Sequence, residues 1–278
     1  MAITTVDQAN QGKCYPIKIY KSGAIRSTSG AGTLCTFVYS AGNPSPPSNP
    51  SDGMAGAALS GNTTGYLNYT NHPTGYTYLH SLSGQVTTGS LSQVKGGIVI
   101  ADRLWQQSGI DVTNTSSQTI NSVAFPPRDS NGTINGEGVM IALIATSTLG
   151  AAPSTSMTID YTNSANVASR TGTISSIPTL ETGASVRVAP FCLAAGDTGV
   201  KSIQSINIGA SMVSGSVSLV AYRIITMIGD VGIYKRDYAD IFECGFPRIY
   251  DDSLLEFMFY SFSTTTINCW GTINLTQG

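Results

Sequence analysis

A chain of 278 residues is long enough for one large domain or two modest ones, each with a sizeable apolar core. Its 14 Lys and Arg against 16 Asp and Glu leave a formal net charge of -2, and charged residues make up 11% of the chain against about 25% in an ordinary soluble domain. So sparse and dispersed a basic complement excludes an electrostatic footprint for nucleic acid, and no run approaches the roughly 20 apolar residues of a membrane-spanning helix.

The polar surface is left to Ser, Thr, Asn, Gln and Gly. Low charge density favours association, so a neutral surface of this kind suits a protein packed against copies of itself or against partners. The N-terminus, MAITTVDQANQGKCYPIKIY, has no basic segment leading into an apolar run, and a secretory signal is not expected. Cys14, Cys35, Cys192, Cys244 and Cys269 are scattered and odd in number, which reads as reduced, small, apolar core residues rather than a disulfide framework.

In chain order, residues 1–53 read as an extended N-terminal arm followed by a stiff connector. YPIKIY and TLCTFVYS are short apolar pieces set between Gly and Ser, which fits an arm or an edge hairpin better than a helix. In AGNPSPPSNPSDG, Ala41 to Gly53, the prolines fix φ and remove backbone donors. Residues 54–228 read as a β-sandwich domain. KGGIVIADRLW is its first firm strand, followed by GEGVMIALIATS, SMTIDYTNSA, SRTGTISSI, SVRVAPFCLA and SGSVSLVAYRIITMI. These are β-branched, alternate with period two, and are separated by turn residues at roughly 8–12-residue spacing.

Between two of these strands lies FPPRDSNGTINGEG. Pro126 and Pro127 cannot sit in a central strand, and Asn131-Gly132 and Asn135-Gly136 suit positive-φ turns, so the stretch is a corner whose charges solvate it or pair with each other. Residues 229–278 concentrate aromatics. SLLEFMFYSF within them fits a buried strand or a short helix by periodicity, and the β-rich flanks favour the strand. This aromatic segment is expected to dock on the sandwich or on a neighbouring subunit.

Reaction chemistry is not expected, and no cofactor and no metal are implied. His72 and His80 have no Cys or second His at ligand spacing, no G-x-S-x-G elbow exists, and the SGAGTLC stretch puts Cys35 where a dinucleotide loop needs its third glycine. Asp251 and Asp252 are neighbours that would face opposite sides of a strand, so a surface turn is the plainer reading. Carbohydrate binding stays open, because Tyr66, Tyr69, Tyr76, Tyr78 and Trp105 could stack on sugars. A polysaccharide hydrolase using Asp129 or Glu137 is the remaining enzymatic alternative.

Several strings together, DRLW, TINSVAFPPRDSNGTINGEGVMIALI, MTIDYTNSANVASRTGTI, LAAGDTGVKSIQSINI, SGSVSLVAYRIITMI and FPRIYDDSLLEFMF, resemble a family of virion structural proteins of tailed bacteriophages. The resemblance covers about residues 95 to 262 and is most specific at YTNSANVASRT and AGDTGVKSIQS. It implies a non-enzymatic particle component assembled in the host cytoplasm: a capsid decoration or cement protein, with a neck or tail appendage that binds a receptor or carbohydrate as the alternative. It establishes no functional residues.

The expectation is therefore an all-β protein, an antiparallel β-sandwich of jelly-roll type with an extended N-terminal arm. It would form a homo-oligomer, a trimer by the decoration analogy, on the phage major capsid protein or other virion proteins, without nucleic acid or membrane. The expected interface residues are Tyr15, Ile17, Ile19 and Tyr20 in the arm and Phe242, Phe246, Ile249 and Tyr250 near the C-terminus, with intrachain core as the competing reading. Deleting residues 1 to 50 is expected to leave the sandwich folded.

Overall fold

A computed structural model describes residues 3, 5–23, 33–47, 54–61, 64–87, 95–150, 156–175, 186–232, 235–261 and 267–278. Its elements begin with a helix, α1 (Val6–Gln11), and the strands β1 (Lys13–Gly23), β2 (Thr33–Thr36), β3 (Ala41–Asn43), β4 (Ala57–Ala58), β5 (Thr77–Thr87), β6 (Lys95–Asp111), β7 (Gln118–Thr119), β8 (Val139–Ala145) and β9 (Met157–Asn163). They continue with β10 (Arg170–Ile174), β11 (Val186–Pro190), β12 (Val200–Ile208), β13 (Ser216–Gly232), β14 (Asp237–Ala239), β15 (Arg248–Ile249), β16 (Leu255–Ser261) and β17 (Ile267–Gln277). The protein is all-β with antiparallel sheets, as its composition and alternation predict.

The chain divides into two units, and neither is one continuous stretch. The first comprises Met1–Pro47, Gly61–Asp102 and Ile224–Gly278, and the second Ser48–Ser60 and Arg103–Arg223. The expected linear order of arm, sandwich and C-terminal segment therefore differs from the way contacts group: residues on both sides of positions 53 and 228 enter the first unit. Part of the anticipated Pro-rich connector, residues 48–53, lies outside the described residues.

In the second unit, β9 shows how the pattern makes the fold. Every second side chain of MTIDYTN is buried, as a strand covered on one face requires. β9 sits between β10 and β12, and β7 pairs with β12 at the other side. Facing this sheet is a second layer in which β8 is flanked by β11 and β13. Met157, Ile159 and Tyr161 from β9 and Val200, Ile203, Ile206 and Ile208 from β12 meet Ile141 and Leu143 of β8 and Leu219 and Ala221 of β13 in one core. Each fully buried Ile or Leu contributes about 1.5–3 kcal/mol by leaving water.

The first unit repeats the two-layer plan with its own core. One sheet runs β14-β5-β17-β1-β3, with β15 also on β5. The other layer has β16 between β2 and β6, so Leu255–Ser261 within SLLEFMFYSF is a strand, as favoured. Ile19, Leu82, Val86, Ile273 and Leu275 of the first sheet pack with Cys35, Ile98, Ile100, Phe257 and Phe259 of the second. Phe37 joins them, with its ring centroid 5.6 Å from that of Phe257.

The segment expected to be an arm is extended, but its partner is the chain's own last strand. β1 pairs with β17 along its whole length, from Lys13 opposite Gln277 to Gly23 opposite Ile267, and its other edge carries β3. Ahead of it, α1 is a helix that the sequence reading did not anticipate. Its signal is local: the Thr5 side chain accepts from Gln8 N and the Gln8 side chain accepts from Thr5 N, a reciprocal capping box.

Candidate interaction surfaces

The corner at residues 126–138 has the expected turns, with Gly132 at φ 73° and Gly136 at φ 83°. Gly136 is required twice over, because a Cβ there would lie 1.9 Å from the Val200 carbonyl oxygen. Two of its charges, Arg128 and Asp129, however, turn inward rather than solvating the loop. Arg128 is buried and donates to the carbonyls of Leu59 at 2.8 Å and Arg103 at 3.2 Å. Asp129, 1% exposed, accepts from the backbone N–H groups of Asn131, Thr133, Gly136 and Glu137 and from the Thr133 hydroxyl. Burial pushes its pKa up, but the hydrogen bonds from Thr133, Glu137 and Asn131 outweigh it and hold the carboxyl below its ordinary value. A carboxylate saturated in this way organises a turn. Glu137 accepts from the Thr198 hydroxyl at 2.8 Å and helps tie the corner to the next loop.

That next loop holds the two most distinctive strings. Asp197, from AGDTGVKSIQS, accepts from three side chains of YTNSANVASRT: Arg170 Nε at 2.9 Å, the Tyr161 hydroxyl at 2.5 Å and Asn163 Nδ2 at 2.7 Å. Arg170 first, then Tyr161 and Asn163, lower the Asp197 pKa to about 2. Tyr161 also accepts from the Ala194 N–H, so its ring fills the core while its oxygen closes the loop. Together the two strings form a polar lock at the rim of the second unit.

The histidines have local partners. His72 Nδ1 accepts from the backbone N–H groups of Thr74 and Gly75, and His80, in β5, lies 3.0 Å from Asn10 Oδ1. Asp252 sits in a turn and accepts from Asn71 Nδ2 at 2.9 Å. Among the described residues no group of three or more His, Cys, Asp or Glu is placed to hold a metal ion, and no helix is long and apolar enough to cross a membrane. Cys35, Cys244 and Cys269 are buried as expected, whereas Cys14 and Cys192 are exposed.

The expected interface residues fall into five environments. Ile19 and Ile249 are buried in the first unit's core, with Tyr15 and Ile17 packed against it. Phe246 stacks on Tyr78 with centroids 4.4 Å apart and planes 6° apart, in a small cluster with Ile3, Ala9 and Ile241. The Tyr250 ring faces the Arg248 guanidinium at 4.8 Å, and its carbonyl accepts from the Tyr69 hydroxyl. Phe242 differs: it is 72% exposed on a turn in which Asp240 accepts from the N–H groups of Phe242 and Glu243. Tyr20 is half-buried on the outer side of its sheet.

The aromatic residues named as sugar-stacking candidates are mostly engaged. Tyr66 and Trp105 are buried, Tyr78 is stacked, and the Tyr76 ring lies 3.7 Å from the Arg248 guanidinium carbon. An open aromatic shelf lies elsewhere, on the outer face of the β14-β5-β17-β1-β3 sheet. With Cys269 and Ile273 turned into the core, Trp270 and Thr272 point outward. The β-pairing aligns Tyr20, Trp270 and Gln85 in one row and Lys18, Thr272, Ser83 and Tyr238 in the next. Tyr20 and Trp270 have centroids 4.1 Å apart at 42°, and Arg236 donates to the Ser83 hydroxyl at 2.8 Å. The shelf encloses a depression of about 400 Å³. Sequence reasoning missed it because its residues come from five segments; the outward position of Trp270 in NCWGTINL was the one legible sign.

No protein-family model matches the chain, and no curated protein matches it. Among solved structures it is similar to one of infectious bursal disease virus, Gt strain, at 11% identity and a TM-score of 0.22, covering 96% of this chain and 81% of that one. It is similar also to the VP2 subviral particle of the same virus, at 12% identity and a TM-score of 0.22, covering 95% and 81%. At such TM-scores the likeness carries no argument about fold or role.

Proposed function

We propose that the protein is a non-enzymatic structural component of a tailed-phage virion, a decoration or cement protein that stabilises the particle through subunit contacts. The observation that carries this reading is Phe242, 72% exposed and held outward by a hydrogen-bonded turn, in a chain with only 11% charged residues. Met227 at 62% adds exposed apolar area on the same unit. Large apolar side chains on a surface with little charge to keep molecules apart favour burial against a partner. The phage-family resemblance of the sequence supplies the kind of partner: the major capsid protein, other virion proteins, and further copies of this chain.

Of the two acids named for a hydrolase, Asp129 is committed to its turn and Glu137 to the Thr198 hydroxyl, which supports the non-enzymatic side of the proposal. The test is composition. Purified virions are analysed by quantitative mass spectrometry before and after separation of heads from tails. A copy number in the tens to hundreds, travelling with heads, is expected for decoration. Absence from purified particles overturns the proposal, and a few copies travelling with tails replaces decoration by an appendage.

A further inference from the structure

We infer that the aromatic shelf on the outer face of the β14-β5-β17-β1-β3 sheet binds an acidic saccharide, a pyranose bearing a carboxylate. This does not rest on the virion role and can stand or fall separately from it.

Three features of the shelf carry the inference. Trp270, 49% exposed, and Tyr20 present tilted rings side by side, and Tyr238, 53% exposed, stands on the same face across β17 and β5. Strands lie about 4.8 Å apart, so β1 and β14, three spacings apart, bracket a strip of about 14 Å, which spans two or three sugar rings. A pyranose has an apolar C–H face that packs on an aromatic ring and a rim of hydroxyls that must keep hydrogen-bond partners when water leaves.

The ground between the rings supplies those partners. Gln85, Ser83, Thr272 and Asn43 line the depression, and amides and hydroxyls donate and accept as sugar hydroxyls do. This polar floor makes a poor seat for an apolar protein patch, which would leave its groups unpaired.

Charge selects the class of sugar. Among the described residues Lys18 and Arg236 line the depression and no Asp or Glu does, in a chain whose formal net charge is -2. Arg236 is exposed and tethered to the Ser83 hydroxyl at 2.8 Å, which orients its planar fork beside the polar floor. A guanidinium held in this way suits a carboxylate, which it can engage through two parallel hydrogen bonds. The occupant is therefore carboxylated rather than neutral.

The experiment titrates the full-length protein with sialyllactose and with a glucuronic-acid-containing tetrasaccharide, alongside lactose as the neutral control, by calorimetry and by saturation-transfer NMR. Trp270→Ala and Arg236→Gln change exposed side chains, and unchanged melting curves establish that the fold is intact. Binding of at least one carboxylated probe is expected, with tenfold or greater loss in Trp270→Ala. In Arg236→Gln the preference for the acidic probe over lactose should collapse. No binding of either acidic probe at about 1 mM, the weak end of specific recognition, overturns the inference. So does binding that both variants retain, or a Trp270→Ala effect confined to the protein's mass in solution, which would make the shelf a protein contact.

Discussion

Arg170 donates its Nε–H to Asp197 Oδ2 over 2.9 Å, joining the start of β10 to the loop that precedes β12. Tyr161 shares the same carboxylate oxygen, so one acid ties together a core aromatic and an edge strand. The folded carboxyl titrates at about 2 instead of its ordinary 3.8, first through Arg170 and then through Tyr161. The stability it contributes is present above about pH 3.8 and is lost as pH falls toward 2. Asp197→Asn should lower stability at neutral pH and flatten the acid limb of a denaturation series between pH 5 and 2. Tyr161→Phe should cost about 1–3 kcal/mol in chemical denaturation by leaving the acid and the Ala194 N–H short of a partner.

Lys21 gives a slope of the same sign at high pH. It is buried in the first unit, and its Nζ donates to the carbonyls of Ser40 at 3.2 Å and Pro44 at 2.6 Å. Burial lowers its pKa from 10.5 to about 8. Between those values the unfolded chain holds the extra proton, so stability should rise as pH goes from 8 toward 10.5. Denaturation midpoints across that window check it, and Lys21→Met should remove the rise.

Asp129 should behave as a structural acid. Asp129→Ala strips five donors of their acceptor in a turn fixed by Gly136, with an expected loss of about 2–3 kcal/mol. Thermal melting reads that loss. Turnover of surface polysaccharide by the unaltered protein would contradict the structural assignment.

Deleting residues 1–23 should not release an appendage from a folded body. β1 lies between β17 and β3, Ile19 is in the core, and Tyr15 and Ile17 pack against it. Each buried apolar side chain contributes about 1.5–3 kcal/mol, against a total stability of about 5–15 kcal/mol for a domain. Loss of cooperative melting and rapid proteolysis of residues 61–102 and 224–278 are expected. A truncated chain that melts as sharply as the full one would return the segment to the role of an arm.

Phe242→Ser isolates association from folding. The side chain is exposed, so stability should change by less than about 0.5 kcal/mol. Affinity for particles should fall about tenfold or more, equivalent to roughly 1.4 kcal/mol or above.

Local patterns carried the β class into the sequence. MTIDYTN alternates and buries every second residue, and the two Asn-Gly pairs place their glycines at positive φ. Two kinds of information were not local. The pairing of β1 with β17 joins residues about 250 positions apart, and nothing in YPIKIY names INCWGTINLTQ as its partner. The direction of a charge is equally hidden: Asp129 looks like a surface-loop acid until the backbone N–H groups around it are counted as partners. The aromatic shelf combines both limits, since Tyr20, Trp270 and Arg236 share a face only after the sheet has formed. By contrast α1 was legible in Thr5-Val6-Asp7-Gln8, whose capping box the apolar pattern of the following strand overshadowed.

The central claim, a structural role on the particle, is tested most directly by adding the purified protein to empty phage heads that lack it and following co-sedimentation and heat resistance together. Saturable binding that raises the temperature at which heads rupture, and that Phe242→Ser weakens, is the predicted result. Protein that stays in the supernatant while the heads rupture at an unchanged temperature would contradict the account.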